Sequence, residues 1–302
     1  MTFDMETTEL LKKVRKIEIK TRGLSNQIFS GEYHSAFKGR GMAFSEVREY
    51  QPGDDIRAID WNVTARFNHP YIKVFEEERE LTVMLLVDVS ASENFGTQKQ
   101  LKKDLVTEIC AVLAFSAIQN NDKTGVIFFS DRIEKFIPPK KGRSHILRII
   151  RELINFTPEG KGTDISMALQ YFTNVIKKKC IAFLISDFID NKFTQEKKQG
   201  SDVLKIAKRK HDLIALRIND KREQELPNVG LVRILDAETG KLKWVDTADQ
   251  SIRQQYSKTS AKRDARLKEL FNRSGVDSTT IGTAESYIKP LMNLFKKRES
   301  KR

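Results

Sequence analysis

Two cysteines in 302 residues, Cys110 and Cys180, are too few for a disulfide framework. Each lies in an apolar run, Cys110 in an expected helix and Cys180 at an expected strand start, so both are read as buried free thiols suited to a reducing compartment. No apolar stretch reaches the roughly 20 residues that a membrane-spanning helix needs. The N-terminus, MTFDMETTELLKKVRKIEIKTRG, places acids before its basic cluster and lacks the apolar region of a signal peptide. The expected location is therefore the cytoplasm. His34, His69, His145 and His211 are the four histidines, and none sits in an informative motif, which leaves a Ser–His–Asp site without support. GKGTD lacks the Gly-x-x-x-x-Gly-Lys-Ser/Thr spacing of a P-loop ATPase. Zinc spacings, RNA-binding aromatic signatures and helix-turn-helix patterns are also missing.

Positive charge is plentiful. Fifty-four Lys and Arg against 41 Asp and Glu give a formal net charge of +13. The excess is spread over KKVRKIEIKTR at 12–22, KKGR at 140–143, KIAKRKH at 205–211 and KKRESKR at the C-terminus. Such a surface attracts nucleic acid, anionic lipid and acidic proteins without specificity. With no nucleic-acid motif beside it, it reads first as a solvated basic face with basic tails. Peripheral membrane proximity is the second reading, and nucleic acid is not an expected partner.

Apolar periodicity supplies the architecture. Residues 5–30 read as an amphipathic helix through Leu10, Leu11, Val14, Ile17, Leu24 and Ile28. Residues 31–80 hold Gly, Arg, Asp and aromatics without a long period, with a turn at Pro52-Gly53, and read as an irregular extension closing on the next domain through Val74 and Phe75. From Leu81 strands and helices alternate. Expected strands are 81–87, 124–129, 133–137 (ended by Pro138-Pro139), 180–186, 213–218 and 276–281. Expected helices are 98–119, 143–155, 164–177, 201–209, 251–274 and 285–296. DAETGK at 236–241 reads as a hairpin turn between strands 229–234 and 242–245. This order predicts an α/β fold: a doubly wound, mostly parallel sheet with helices on both faces, plus the helical and irregular extension. The boundaries are 1–80 for the extension, 81–296 for the α/β domain and 297–302 for a basic tail. In such folds the site lies beyond the carboxyl ends of the strands, where the strand order reverses.

The stretch LTVMLLVDVSASENFG puts chemistry at that place. Six of the seven residues from Leu81 to Val87 are apolar, and Asp88, Ser90 and Ser92 follow at every second position. Alternate residues of an extended segment point the same way, so one carboxylate and two hydroxyls can converge. An all-oxygen donor set suits a hard cation: Mg²⁺ takes a few protein oxygens plus waters, and Mn²⁺ and Ca²⁺ also accept oxygen. LISDF places Asp187 at the end of a second central strand, and EGKGTDIS places Thr163 at a helix start, with Gly160 and Gly162 leaving that loop room. Ser, Thr and Asp are also ordinary helix caps and turn formers. Asp164 in particular can either cap its helix or face a partner.

The three loops resemble the metal-ion-dependent adhesion site of the von Willebrand factor A domain: Asp-x-Ser-x-Ser after the first strand, a Thr in a Gly-rich loop, and an Asp after the fourth strand. The matching residues are Asp88, Ser90, Ser92, Thr163 and Asp187, and the order of elements matches from Leu81 to about Phe295. The resemblance implies a non-enzymatic module that captures an Asp or Glu of another protein through Mg²⁺. Upstream, FKGRGMAFSEVREYQPGDDIRAIDWNVTARFNHPYIKVFEEERE resembles the signature region of the bacterial domain-of-unknown-function 58 family. That family carries von Willebrand A-type domains and often accompanies MoxR-type AAA+ ATPases in aerotolerance-type operons, which implies an adaptor or co-chaperone role. Here Trp61 and Tyr50 pack on the domain while charges pair with one another, or the region docks a partner through Arg48, Arg57 and Arg66. Two alternatives belong to other classes. A metal-dependent phosphoester hydrolase of similar fold wants a second Asp where Ser90 stands. A nucleic-acid binder driven by net charge would lose affinity steeply with salt.

Overall fold

The segment expected to be irregular carries a sheet of its own. In a computed structural model of the chain, residues 42–77, 80–94, 101–190, 199–235 and 242–300 are described, with Val14, Arg15, Ile17, Glu18 and Phe193. Strand β1 (Met42–Glu49) pairs antiparallel with β2 (Tyr71–Glu77), and helix α1 (Trp61–Phe67) lies between them in sequence. A register shift between Phe44 and Glu46 leaves Ser45 as an extra residue in β1. That bulge reverses the phase of the alternation, which hides the strand from a period-two reading. The Pro52-Gly53 turn is present: Gly53 has φ 109°, and the Asp54 amide donates to the Gln51 carbonyl. Asp60 caps α1 by accepting from the amides of Asn62 and Val63, and it pairs with Lys73 at 3.3 Å. Arg48 binds Asp54 through two parallel bonds of 2.8 and 2.7 Å. The expected charge pairing is thus present. Within this unit α1 buries none of its residues, and Trp61 is 69% exposed. Residues 37–81 form one compact unit, and the rest of the described chain forms another.

The larger unit is the α/β domain. Its strands are β3 (Thr82–Asp88), β4 (Lys123–Phe129), β5 (Ile133–Lys140), β6 (Ile181–Ser186), β7 (Asp212–Asn219) and, after the antiparallel pair β8 (Leu231–Leu235) and β9 (Leu242–Asp246), β10 (Asp277–Gly282). The six-stranded order is β10-β7-β6-β3-β4-β5, with β5 alone antiparallel. The two most apolar strands, β3 and β6, are adjacent at its centre, as strands covered on both faces must be. The chain winds one way from β3 and the other way from β6, so the order reverses between them.

Helices α2 (Lys102–Gln119), α3 (Arg143–Asn155), α4 (Ile165–Val175), α5 (Gln199–Lys210), α6 (Gln250–Ser274) and α7 (Ile288–Glu299) cover the sheet. Met84, Leu86, Ile127 and Phe129 pack with Leu169 and Phe172 of α4, Leu204 of α5, and Leu267 and Phe271 of α6. Ala111, Ala114 and Phe115 of α2 pack with Ile146 and Ile150 of α3 and with Val14. Val14, Arg15, Ile17 and Glu18 are helical, as the periodicity of 5–30 predicts, while Leu10, Leu11, Leu24 and Ile28 lie outside the described residues. Arg298 of α7 is buried between Asp277 of β10 and Asp212 of β7 and fixes that helix to the sheet. The hairpin strands around 236–241 pair as expected, and the turn itself lies outside the described residues. Among the described residues, no helix is long and apolar enough to cross a membrane.

One strand runs further than expected. Pro138 and Pro139 lie inside β5 rather than after it. β5 is an edge strand, where proline's missing N–H leaves no ladder bond unmade on the outer side. Val126 faces Ile137 and Thr124 faces Lys140, so two prolines stand opposite Gly125 alone. A Cβ on Gly125 would sit 2.8 Å from the Pro139 nitrogen.

Both cysteines are free and buried. Cys180 Sγ lies 3.3 Å from Nδ1 of His211, a residue 1% exposed that also packs on Phe172. Burial, helped by the Lys210 charge, pushes His211 down to about 4, and burial pushes the Cys180 thiol up to about 12. An unfolded histidine titrates near 6.5. Below about pH 4 both states are protonated, and above 6.5 both are neutral. Between them the unfolded chain takes up the proton first, so stability falls as pH drops through this window. The expected loss is about 2 kcal/mol, or about 5 °C in melting midpoint. Thermal melts at pH 7 and 4.5 check it: His211→Gln should flatten the difference, and an unchanged difference would contradict it.

Candidate metal centre

Asp88 ends β3 and Asp187 follows β6, so adjacency of the central strands brings the two carboxylates together. Asp88, Ser90 and Asp187 are all buried. Asp88 Oδ1 accepts from the Ser90 amide at 2.9 Å, and Oδ2 accepts from the Ser186 hydroxyl at 2.6 Å. The Ser90 and Ser92 hydroxyls are 3.1 Å apart, although the segment is not extended as the alternating pattern expects: the strand ends at Asp88 and Ser92 lies in the 3₁₀ turn Ala91–Asn94.

Thr163 arrives on a loop tied from several sides. Lys161 accepts from the Ala91 amide, Ser130 accepts from the Asp164 amide at 2.9 Å, and Glu134 of β5 accepts from the amides of Glu159 and Gly160. Asp164 Oδ1 caps α4 by accepting from the Met167 amide at 2.8 Å. The capping alternative therefore describes Asp164. Asp190, unremarked in the sequence, accepts from the Ile165 amide and joins the third loop to the same helix start.

Of the two loop glycines, Gly160 is the one that space requires. A Cβ there would lie 2.2 Å from the hydroxyl of buried Ser130 and from Asp131 Oδ1, whereas at Gly162 the nearest approach is an ordinary 3.7 Å. Gly160→Ala is expected to lose about 1–3 kcal/mol by overpacking and Gly162→Ala much less, a contrast that chemical denaturation reads directly. Equal effects would contradict it.

Thr163 Oγ1 is buried and has no hydrogen-bond partner among the described residues. Buried hydroxyls are normally bonded, so an orphan on the loop that meets Ala91 through the Lys161 carbonyl fits an absent ion or water, although Ser116, Thr124, Ser274 and Tyr287 also carry buried hydroxyls unbonded among the described residues. Burial, with the charge of Asp187 next, pushes Asp88 up to about 7. A bound cation would relieve that penalty.

Two residues that the motif reading omitted complete the site. Lys102, the first residue of α2, is fully buried, and its ammonium lies 2.8 Å from Asp187 Oδ2 and on Glu223 Oε1. Burial alone would raise Asp187, but Lys102 and the Ile189 amide on Oδ1 hold it below the usual carboxylate range. Burial raises Glu223 in spite of Lys102. Glu223 also accepts from the Asp220 amide, and Asp220 in turn accepts from the Thr283 hydroxyl at 2.6 Å. Asp88, Asp187 and Glu223, with buried Asp220 next to Glu223, meet the single cation Lys102, so the cluster carries an excess of acidic groups that a divalent ion would offset. Little in the sequence signals Lys102: α2 is buried nearly all round from Leu105 to Ala117, so no apolar stripe singles it out.

Arg48, Arg57 and Arg66 belong to the smaller unit. Arg48 is taken up by Asp54, Arg57 lies in the 3₁₀ turn Ile56–Ala58, and Arg66 lies in the last turn of α1; the latter two are exposed.

Comparison with known proteins agrees with this architecture. The Mycobacterium tuberculosis protein Rv1480, described as uncharacterized, is 26% identical over 297 residues, covering 98% of this chain and 92% of its own. YeaD of Bacillus subtilis, likewise uncharacterized, is 28% identical over 109 residues, covering 36% of this chain and 25% of its own. Among solved structures, an aerotolerance-related membrane protein from Bacteroides fragilis superposes with a TM-score of 0.50 at 14% identity, covering 72% of this chain and 99% of the other. The fold is von Willebrand A-like. The model of the family described as "Protein of unknown function DUF58" matches residues 46–266, and the chain belongs to that family.

Proposed function

We propose that this protein is a non-enzymatic adaptor that holds Mg²⁺ at Asp88, Ser90, Ser92 and Thr163, with Asp187 behind them, and uses the ion to capture an Asp or Glu of a partner protein. The observation that carries the reading is the buried, unbonded Thr163 hydroxyl on a loop whose Lys161 carbonyl accepts from the Ala91 amide, between the paired Ser90 and Ser92. Supporting it is the excess of buried acidic groups over the one buried cation, Lys102, which a dication would offset. Mg²⁺ fits a site with few carboxylates and room for waters; Mn²⁺ accepts the same donors. The ion would supply a Lewis-acid position for the incoming carboxylate. This chain's own residues orient its ligands: Ser186 and the Ser90 amide fix Asp88, and the Glu134 clamp fixes the Thr163 loop. A MoxR-type AAA+ ATPase is the proposed collaborator, from the resemblance of residues 37–80 and the aerotolerance-related character of the Bacteroides fragilis protein. The cytoplasm, with proximity to a membrane surface through the basic face, is the proposed location.

Calorimetric titration of Mg²⁺, Mn²⁺ and Ca²⁺ tests the cation. Saturable one-site binding that disappears in Asp88→Ala and Ser90→Ala is the expected result. Capture of an Asp-bearing peptide that EDTA reverses should follow. Mg²⁺-dependent hydrolysis of a generic phosphoester, lost in Asp88→Ala, would turn the reading toward a hydrolase. Binding of nucleic acid that collapses with salt and ignores EDTA would turn it toward charge-driven binding.

A further inference from the structure

Lys102 poses a problem of its own. A lysine is almost never fully buried unless paired, and here its ammonium is placed on the carboxylate that the metal-site pattern assigns to an ion. Both oxygens of Asp187 are already engaged: Oδ2 takes Lys102 and Oδ1 takes the Ile189 amide. Glu223 holds the other side of the ammonium. It is itself anchored by the Asp220 amide and by the Ser260 hydroxyl of α6 on its own carbonyl. Lys102 therefore has little freedom to leave, and Asp187 little freedom to turn.

We propose that Lys102 is a positioning residue of the cation site: clamped between Asp187 and Glu223, it holds the Asp187 carboxylate out of direct coordination, and so makes the site prefer a small, water-retaining dication over Ca²⁺. This inference rests on the reading of Asp88, Ser90, Ser92 and Thr163 as cation donors. With Asp187 held back, those donors are one carboxylate and three hydroxyls, with waters completing the shell. Mg²⁺ accepts such a shell, whereas Ca²⁺ wants six to eight oxygens and favours additional or bidentate carboxylates. Freeing Asp187 would add the ligand that Ca²⁺ lacks. Partners behind the ligands commonly change metal affinity by about 10–100-fold when removed.

Charge and position can be separated. Lys102→Met removes the clamp and leaves three buried carboxylates. The double variant Lys102→Met/Glu223→Gln also removes the clamp but keeps the formal charge at the wild-type value, since one cation and one anion are lost together, and it protects against a single variant that fails to fold. Lys102→Arg keeps a cation at the position. Mg²⁺ and Ca²⁺ are titrated into each folded variant by calorimetry, and water-proton relaxation of bound Mn²⁺ reports how many waters the ion retains. The expected result is a shift of about tenfold in the Ca²⁺/Mg²⁺ affinity ratio toward Ca²⁺ in the double variant, with fewer waters on Mn²⁺ and partial restoration in Lys102→Arg. A ratio and a water count equal to wild type in the double variant would overturn the inference while leaving the cation reading in place. A wild type that binds none of the three ions would overturn the cation reading first, and this inference with it.

Discussion

Replacement of Lys102 by alanine is expected to destabilise the protein by about 3–5 kcal/mol, the range measured when one partner of a buried ion pair is removed. In a domain of this size that corresponds to a fall of about 10 °C in melting midpoint. The cause is the pair of carboxylates left behind without a counter-charge, more than the loss of the ion pair's own attraction. Asp187 is nearly fully buried and Glu223 is mostly buried, and both meet the same ammonium. Without it, two negative charges share one dry space with Asp88 as a third. The effects must therefore be strongly non-additive. Glu223→Gln alone weakens one arm of the clamp, and on the Lys102→Ala background it should recover part of the loss by removing an unpaired charge. Denaturant melts of the two single variants and the double variant close the cycle. Losses that add to within about 0.5 kcal/mol would show that Lys102 and Glu223 do not act as a pair.

Most of the domain is readable because its elements obey their own periods. β3 and β6 are continuous apolar runs of strand length, and α3, whose buried residues are His145, Ile146, Ile149, Ile150 and Leu153, repeats at helical spacing over the very residues expected. The loops that carry Asp88, Ser90, Ser92, Thr163 and Asp187 are legible for the same reason: each follows directly from a strand or precedes a helix. What escapes are features whose cause lies in another part of the chain. The bulge at Ser45 breaks the alternation of β1, and it makes sense only against β2. Pro138 and Pro139 stop a strand on propensity alone but sit comfortably where an edge strand opposes Gly125. Lys102 looks like one more charge in a basic protein. α2 is buried nearly all round, so no stripe marks Lys102, and its partners come from 85 and 121 residues further along.

The second large effect concerns Asp88. Asp88→Asn is expected to abolish Mg²⁺ binding while leaving the metal-free protein at least as stable as wild type. The two halves of this expectation pull in opposite directions, which makes the variant informative. In the metal-free state Asp88 is a buried carboxylate facing another one, so neutralising it removes a repulsion. Asparagine is nearly the same shape, and its carbonyl can still accept from the Ser90 amide or the Ser186 hydroxyl. With the ion, the same carboxylate is the sole anionic donor among Asp88, Ser90, Ser92 and Thr163, so its loss removes the charge that draws the dication from water. At Mg²⁺ about a hundredfold above its dissociation constant, wild type should gain about 2.7 kcal/mol, a rise of about 5–10 °C in midpoint for a domain of this size. Asp88→Asn should show no such rise. Thr163→Val should retain a reduced one, because it removes a neutral donor and leaves the charge. Scanning calorimetry of the three proteins with and without Mg²⁺ decides the matter. If Asp88→Asn responds to Mg²⁺ as wild type does, the ion is bound elsewhere. If Asp88→Asn is less stable than wild type without metal, the Asp88 carboxylate is stabilising in the metal-free fold, and the charge argument for a missing cation fails.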